Sequence, residues 1–133
     1  MTMNNNSNTG TNELIFIDAG ISNYQNLIAG ISTNSTVFVL DSSQDGIQQI
    51  SDVLDSYTGT KFDALHIYSH GTEGSLDLGN ITLNQSSLWQ YEDELETWSN
   101  SLTIDADILF YGCNVASGNG GDFLLDIANL TEA

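Results

Sequence analysis

Two residue types in this 133-residue chain can together perform nucleophilic chemistry: a histidine, His70, one of two, and the sole cysteine, Cys113. A cysteine attacks through its thiolate, and a neighbouring imidazole stabilises that thiolate and later protonates the leaving amine. Each of the two residues closes a short apolar run. Ala64-Leu65-His66-Ile67-Tyr68 ends at Ser69-His70-Gly71, and Ile108-Leu109-Phe110-Tyr111 ends at Gly112-Cys113-Asn114. One strand-helix crossover lies between them, a spacing that would set them on neighbouring parallel strands about 5 Å apart at the backbone. Gly71 allows a sharp turn and leaves its amide unobstructed, so that amide and the amide of Cys113 could hold a developing oxyanion.

The elements that must position this pair follow from the periodicity. Four apolar runs end at small or polar residues: Leu14 to Ile17 at Asp18, Val37 to Leu40 at Asp41, and the two runs that end at His70 and Cys113. Apolar on both faces, they predict strands of a covered parallel sheet. Between and after them, apolar residues recur at three and four: Tyr24, Leu27, Ile28, Ile31; Ile47, Ile50, Leu54, Tyr57; Leu88, Tyr91, Leu95, Trp98; and Phe123, Ile127, Leu130. These predict four helices. Ser75 to Leu78 and Ile81 to Leu83 flank Gly79-Asn80, the signature of a small hairpin inserted between the third strand and its helix. The chain therefore reads as one α/β/α sandwich over residues 13–133, preceded by a flexible polar segment, residues 1–12, that resembles no secretory signal. In such sheets functional residues gather at the carboxyl edge, where Asp18, Asp41, His70 and Cys113 all fall.

Composition narrows the partners. Eighteen Asp and Glu stand against one basic residue, Lys61, for a formal net charge of -17. That surface repels phosphate backbones and anionic lipid, which excludes nucleic acid and membrane surfaces and favours neutral or cationic partners. A single cysteine forms no intrachain disulfide, and no apolar run approaches the ~20 residues of a bilayer span.

The competing bland readings are specific. Cys113 reads alternatively as a small buried apolar residue and His70 as a strand-end polar one. His66 stands about 13 Å from His70 along a strand, too far to share a metal, and reads as a structural core histidine. Zinc lacks paired ligand spacing, and Asp41 to Gly46 lacks the alternating ligands of a calcium loop, so neither metal nor cofactor is expected. Gly118 to Gly121 reads as a loop before the last helix, with Asp122 opposing phosphate; Glu92-Asp93-Glu94 with Glu96 reads as a solvated helix face. Ser69 should point away from His70.

Strand ends reading Ser69-His70-Gly71 and Gly112-Cys113 in that order resemble the caspase-like cysteine peptidases. The stretches Leu14 to Asp18, Asp45 to Ile50, His66 to Gly71, Gly74 to Gly79 and Ala106 to Ala116 are similar to the bacterial domain of unknown function 4347, found near the front of large, repetitive surface and adhesin-like proteins. The resemblance implies a caspase-like fold of flavodoxin-like strand order 2-1-3-4, with His70 and Cys113 as dyad. It also implies a polypeptide substrate, self-processing of a parent chain, and a secreted or cell-surface setting. Tyr111-Gly112-Cys113-Asn114 departs from the caspase Gln-Ala-Cys-x-Gly, and no arginine exists to hold a substrate aspartate, so caspase specificity is excluded. In basic-specific members an acidic residue lines the primary pocket. Asp18 is the candidate here, with a helix cap as its alternative. Members of the group have further strands after the cysteine-bearing one. Their lack here implies a piece of a longer protein, or two copies pairing along the open edge. The alternative function is a catalytically inactive interaction or structural module on the same scaffold.

Overall fold

The computed structural model describes residues 12–21, 24–29, 36–72, 74–111 and 120–132. Strand β1 (Glu13–Asp18) is followed by α1 (Tyr24–Ala29), β2 (Thr36–Leu40), α2 (Gly46–Ser56) and β3 (Phe62–Tyr68). Then come β4 (His70–Thr72), β5 (Ser75–Leu78) and β6 (Ile81–Asn84). A 3-10 turn (Leu88–Tyr91) runs into α3 (Glu92–Trp98), and β7 (Leu102–Tyr111) and α4 (Gly120–Thr131) complete the order. Four strands form an all-parallel sheet ordered β2-β1-β3-β7, the expected 2-1-3-4 arrangement, and β4-β5-β6 form a separate antiparallel sheet.

The core follows from strand alternation. Leu14 and Phe16 of β1 and Leu65 and Ile67 of β3 present one face to Ile47, Ile50 and Leu54 of α2 and to Leu95 and Trp98 of α3. Phe16 and Phe38 stack across β1 and β2 at 5.9 Å between ring centres. The Trp98 indole N–H donates to Ser51 Oγ at 2.9 Å, so the one polar atom of this buried ring is satisfied. Right-handed crossovers would send α1 to the face opposite α2 and α3, because β1 to β2 runs the other way along the sheet. Ile15 and Ile17 are buried on that opposite face.

Helix α2 starts where Asp45 caps it: Oδ1 accepts from the amides of Ile47 (2.9 Å) and Gln48 (3.1 Å), satisfying two free donors of the first turn. Its other oxygen accepts the Tyr91 hydroxyl at 3.0 Å. The turn between β5 and β6 rests on this helix start. Gly79 has φ +62, and a Cβ there would lie 2.0 Å from the Gln44 carbonyl oxygen. The neighbouring Asn80 amide donates to that same oxygen at 2.8 Å. Only glycine permits this approach.

Three expectations are corrected. The hairpin is the distal part of a three-stranded sheet, because His70-Gly71-Thr72 pairs antiparallel with β5, His70 opposite Asp77 and Gly71 opposite Leu76. β7 begins at Leu102, well before Ile108, and is not apolar on both faces: Leu102 and Ala106 are buried while Ile104, Asp105 and Asp107 face out. The glycine run before the last helix is not wholly a loop, since Gly120 and Gly121 open α4.

Candidate active site at the carboxyl edge

Asp18 ends β1 and is 3 % exposed. A carboxylate is buried at such depth only when its oxygens are bonded, and here backbone amides supply the bonds. Oδ1 accepts from Gly20 N at 2.8 Å, and Oδ2 accepts from Gly79 N at 3.1 Å, tying β1 to the antiparallel sheet. The next peptide carries the link onward, as the Gly20 carbonyl lies 2.8 Å from His70 Nε2. A carbonyl only accepts, so Nε2 holds the hydrogen and Nδ1 of the neutral ring keeps its lone pair. Gly20 sits close to both partners: a Cβ on it would meet Asp18 Oδ1 at 3.3 Å and His70 Cδ2 at 3.8 Å. His70 itself is exposed.

The neighbouring strand tip belongs to β7. Tyr68 and Tyr111 are paired in register, and the Ser69 amide donates to the Tyr111 carbonyl at 3.1 Å, extending the ladder one step past β3. Ser69 is buried where His70 is exposed, the opposed orientation that alternation predicts. Gly112, Cys113 and the rest of 112–119 lie outside the described residues. Of the strand-end residues singled out from sequence, Asp18 and His70 are therefore brought together through Gly20, and Gly71 lies beside His70 in β4.

Asp41 is not part of this group. Its carboxylate is closed locally, Oδ1 accepting from the Ser43 hydroxyl (2.7 Å) and the Ser43 amide (2.8 Å), Oδ2 from Gln44 Nε2 (3.3 Å). The Ser43 hydroxyl and then the Ser43 amide hold it below the usual carboxylate range against an opposing desolvation effect, with Gln44 adding least.

A second polar group was not singled out from sequence. His66, read as a core histidine, keeps 18 % of its side chain exposed and is bonded at both nitrogens. Nε2 donates to Glu13 Oε1 at 2.6 Å, and Nδ1 accepts from the Tyr111 hydroxyl at 2.8 Å. Tyr111 in turn stacks on Tyr68 with ring centres 4.2 Å apart and planes at 6°. Desolvation, then the proximity of Tyr111, raise the Tyr68 hydroxyl above the ordinary tyrosine value. The signal was present in strand parity, which puts Glu13, His66, Tyr68 and Tyr111 on one face, but it needed the register to be read.

Among the described residues no group of three His, Cys, Asp or Glu is arranged to hold a metal ion, and no helix is long and apolar enough to cross a membrane. Comparison with curated proteins and with solved structures gives no match. A parallel sheet in the order β2-β1-β3-β7, with a histidine two residues past β3 and a cysteine two residues past β7, occurs here in a chain whose residues 14–133 match the family described as Domain of unknown function (DUF4347), and the chain belongs to that family.

Proposed function

We propose that this domain is a caspase-like cysteine endopeptidase with His70 and Cys113 as its dyad. The observation that carries the reading is the tethering of His70. Its Nε2–H is held by the Gly20 carbonyl, which leaves Nδ1 as the group able to exchange a proton with a thiol. The partner's reach supports it. β7 adjoins β3 with Tyr111 opposite Tyr68, and two residues of extended chain from Tyr111 to Cys113 span at most ~7 Å. In this scheme the Cys113 thiolate attacks the peptide carbonyl carbon, His70 gives its proton to the departing amine nitrogen, and water then hydrolyses the thioester. The amides of Gly71 and Cys113 hold the oxyanion.

Asp18 acts in this scheme as a positioning residue. Its carboxylate fixes the Gly20 peptide that orients His70, and recognition of a basic substrate side chain by Asp18 would require releasing the bonds from Gly20 and Gly79. The substrate is a polypeptide, with self-processing of a larger bacterial surface protein as the setting. Incubation with a peptidyl acyloxymethyl ketone, followed by peptide mapping, tests the proposal. Labelling at Cys113 that is abolished in His70→Ala supports it, and an unlabelled folded protein refutes it.

The second reading, an inactive interaction module, is favoured by one feature. No described residue pairs with the outer edge of β7, where Ile104 is 95 % exposed, an edge on which a second copy could add a strand. Sedimentation showing a dimer that Ile104→Lys dissociates would support that module.

A further inference from the structure

A groove of about 360 Å³ runs between the 3-10 turn Leu88–Tyr91 and α4, sharing no residue with the carboxyl-edge site. Leu88, Leu130 and Trp89 give its lining an apolar part. Leu88 is buried in the core, which turns the next side chain outward and leaves the Trp89 indole 68 % exposed. Glu92 from α3 and Asp126 from α4 contribute carboxylates. Gln85 Nε2 donates to Asp126 Oδ2 at 3.1 Å, fixing that carboxylate, and no described residue donates to its Oδ1. The lining holds no basic side chain, and Lys61, the chain's only one, borders a different cavity.

A flat aromatic face flanked by carboxylates from two elements suits one ligand chemistry in particular. A planar guanidinium stacks on indole and directs its N–H fork at carboxylates, which a lysine ammonium cannot reproduce. A second copy of this chain cannot supply it, having no arginine. We propose that this groove binds an arginine side chain presented by a partner protein, the guanidinium lying on Trp89 and hydrogen-bonding to Asp126 and Glu92. The assignment is independent of any activity of His70 and Cys113.

The test titrates the 133-residue chain, at fixed ionic strength, with the peptide acetyl-Gly-Arg-Gly-amide and its citrulline counterpart, which keeps the shape without the charge. The indole N–H resonances are followed by NMR, with buried Trp98 as internal control of folding. The arginine peptide should shift the Trp89 resonance saturably and bind about tenfold more tightly than the citrulline peptide. Trp89→Leu and Asp126→Asn should each weaken binding about three- to tenfold, the former read from backbone amides around Leu130. Equal binding of the two peptides, or shifts spread over the acidic surface and unaltered by Trp89→Leu, would overturn the assignment.

Discussion

His70 and Asp18 are coupled without touching: Gly20 stands between them, its amide bonded to the Asp18 carboxylate and its carbonyl to His70 Nε2, both at 2.8 Å. The coupling predicts a specific effect of Asp18→Asn. The amide can still accept from one backbone N–H but presents its own NH₂ to the other, leaving a buried donor unpaired at a cost of about 1–3 kcal/mol. Urea unfolding should show that loss. If the endopeptidase proposal holds, labelling of Cys113 should slow in Asp18→Asn even when the protein is fully folded, because the Gly20 carbonyl no longer fixes the imidazole.

Gly79→Ala should be among the most damaging single changes in the described residues. The added methyl would lie 2.0 Å from the Gln44 oxygen and demand a left-handed backbone of an L-residue, so strain and steric clash act together. We expect a loss above ~2 kcal/mol, by thermal or urea unfolding, whereas Gly59→Ala, with nothing within 4 Å of the new Cβ, should cost only its backbone penalty of about 1 kcal/mol.

The contrast between these sites shows what could be read in advance. Strand runs ending at Asp18, Leu40, Tyr68 and Tyr111 were visible because each ends in a short, mostly apolar stretch, though the polar first half of β7 was not, and the hairpin turn at Gly79-Asn80 was visible from its residue types. The strand His70–Thr72 was not, since three polar or small residues show no alternation and are ordered by pairing with β5. The link from Asp18 to His70 was hidden for a different reason. It passes through backbone atoms of Gly20 and Gly79, and a backbone amide carries no residue code. Only the reciprocal fact, that glycine alone fits beside Gln44, leaves a trace in sequence. The position of Cys113, on which the dyad depends, lies outside the described residues.

Tyr111→Phe separates the His66 group from the sheet around it. The ring remains to stack on Tyr68, but the hydroxyl that His66 Nδ1 accepts is lost, which should destabilise the fold by about 0.5–1.5 kcal/mol. The Tyr68 hydroxyl should stay above its ordinary value, because burial is the first cause of its shift and Tyr111 the second. Its folded value being raised, Tyr68 contributes stability that is present below about pH 10 and lost as pH rises through the folded value. Ultraviolet titration of tyrosinate, in the parent and in Tyr111→Phe, checks both statements, and an unshifted Tyr68 would contradict them.

Asp41 supplies the opposite sign. Its carboxyl is held below the usual value chiefly by the Ser43 hydroxyl and then by the Ser43 amide, so the group favours the folded state above the unfolded carboxyl range. That contribution disappears as pH falls through the folded value, below about 3.9. Because Asp41 lies on the surface, salt and solvent screen the effect, and its size is best read site by site. Carbon-detected NMR of the side-chain carboxyl should place its midpoint below that of an unbonded aspartate. Ser43→Ala should move the midpoint upward by removing the largest cause while keeping the backbone bond, and Ser43→Thr should leave it low. A midpoint unmoved by Ser43→Ala would mean that the hydroxyl bond at 2.7 Å contributes nothing to the ionisation of Asp41 in solution.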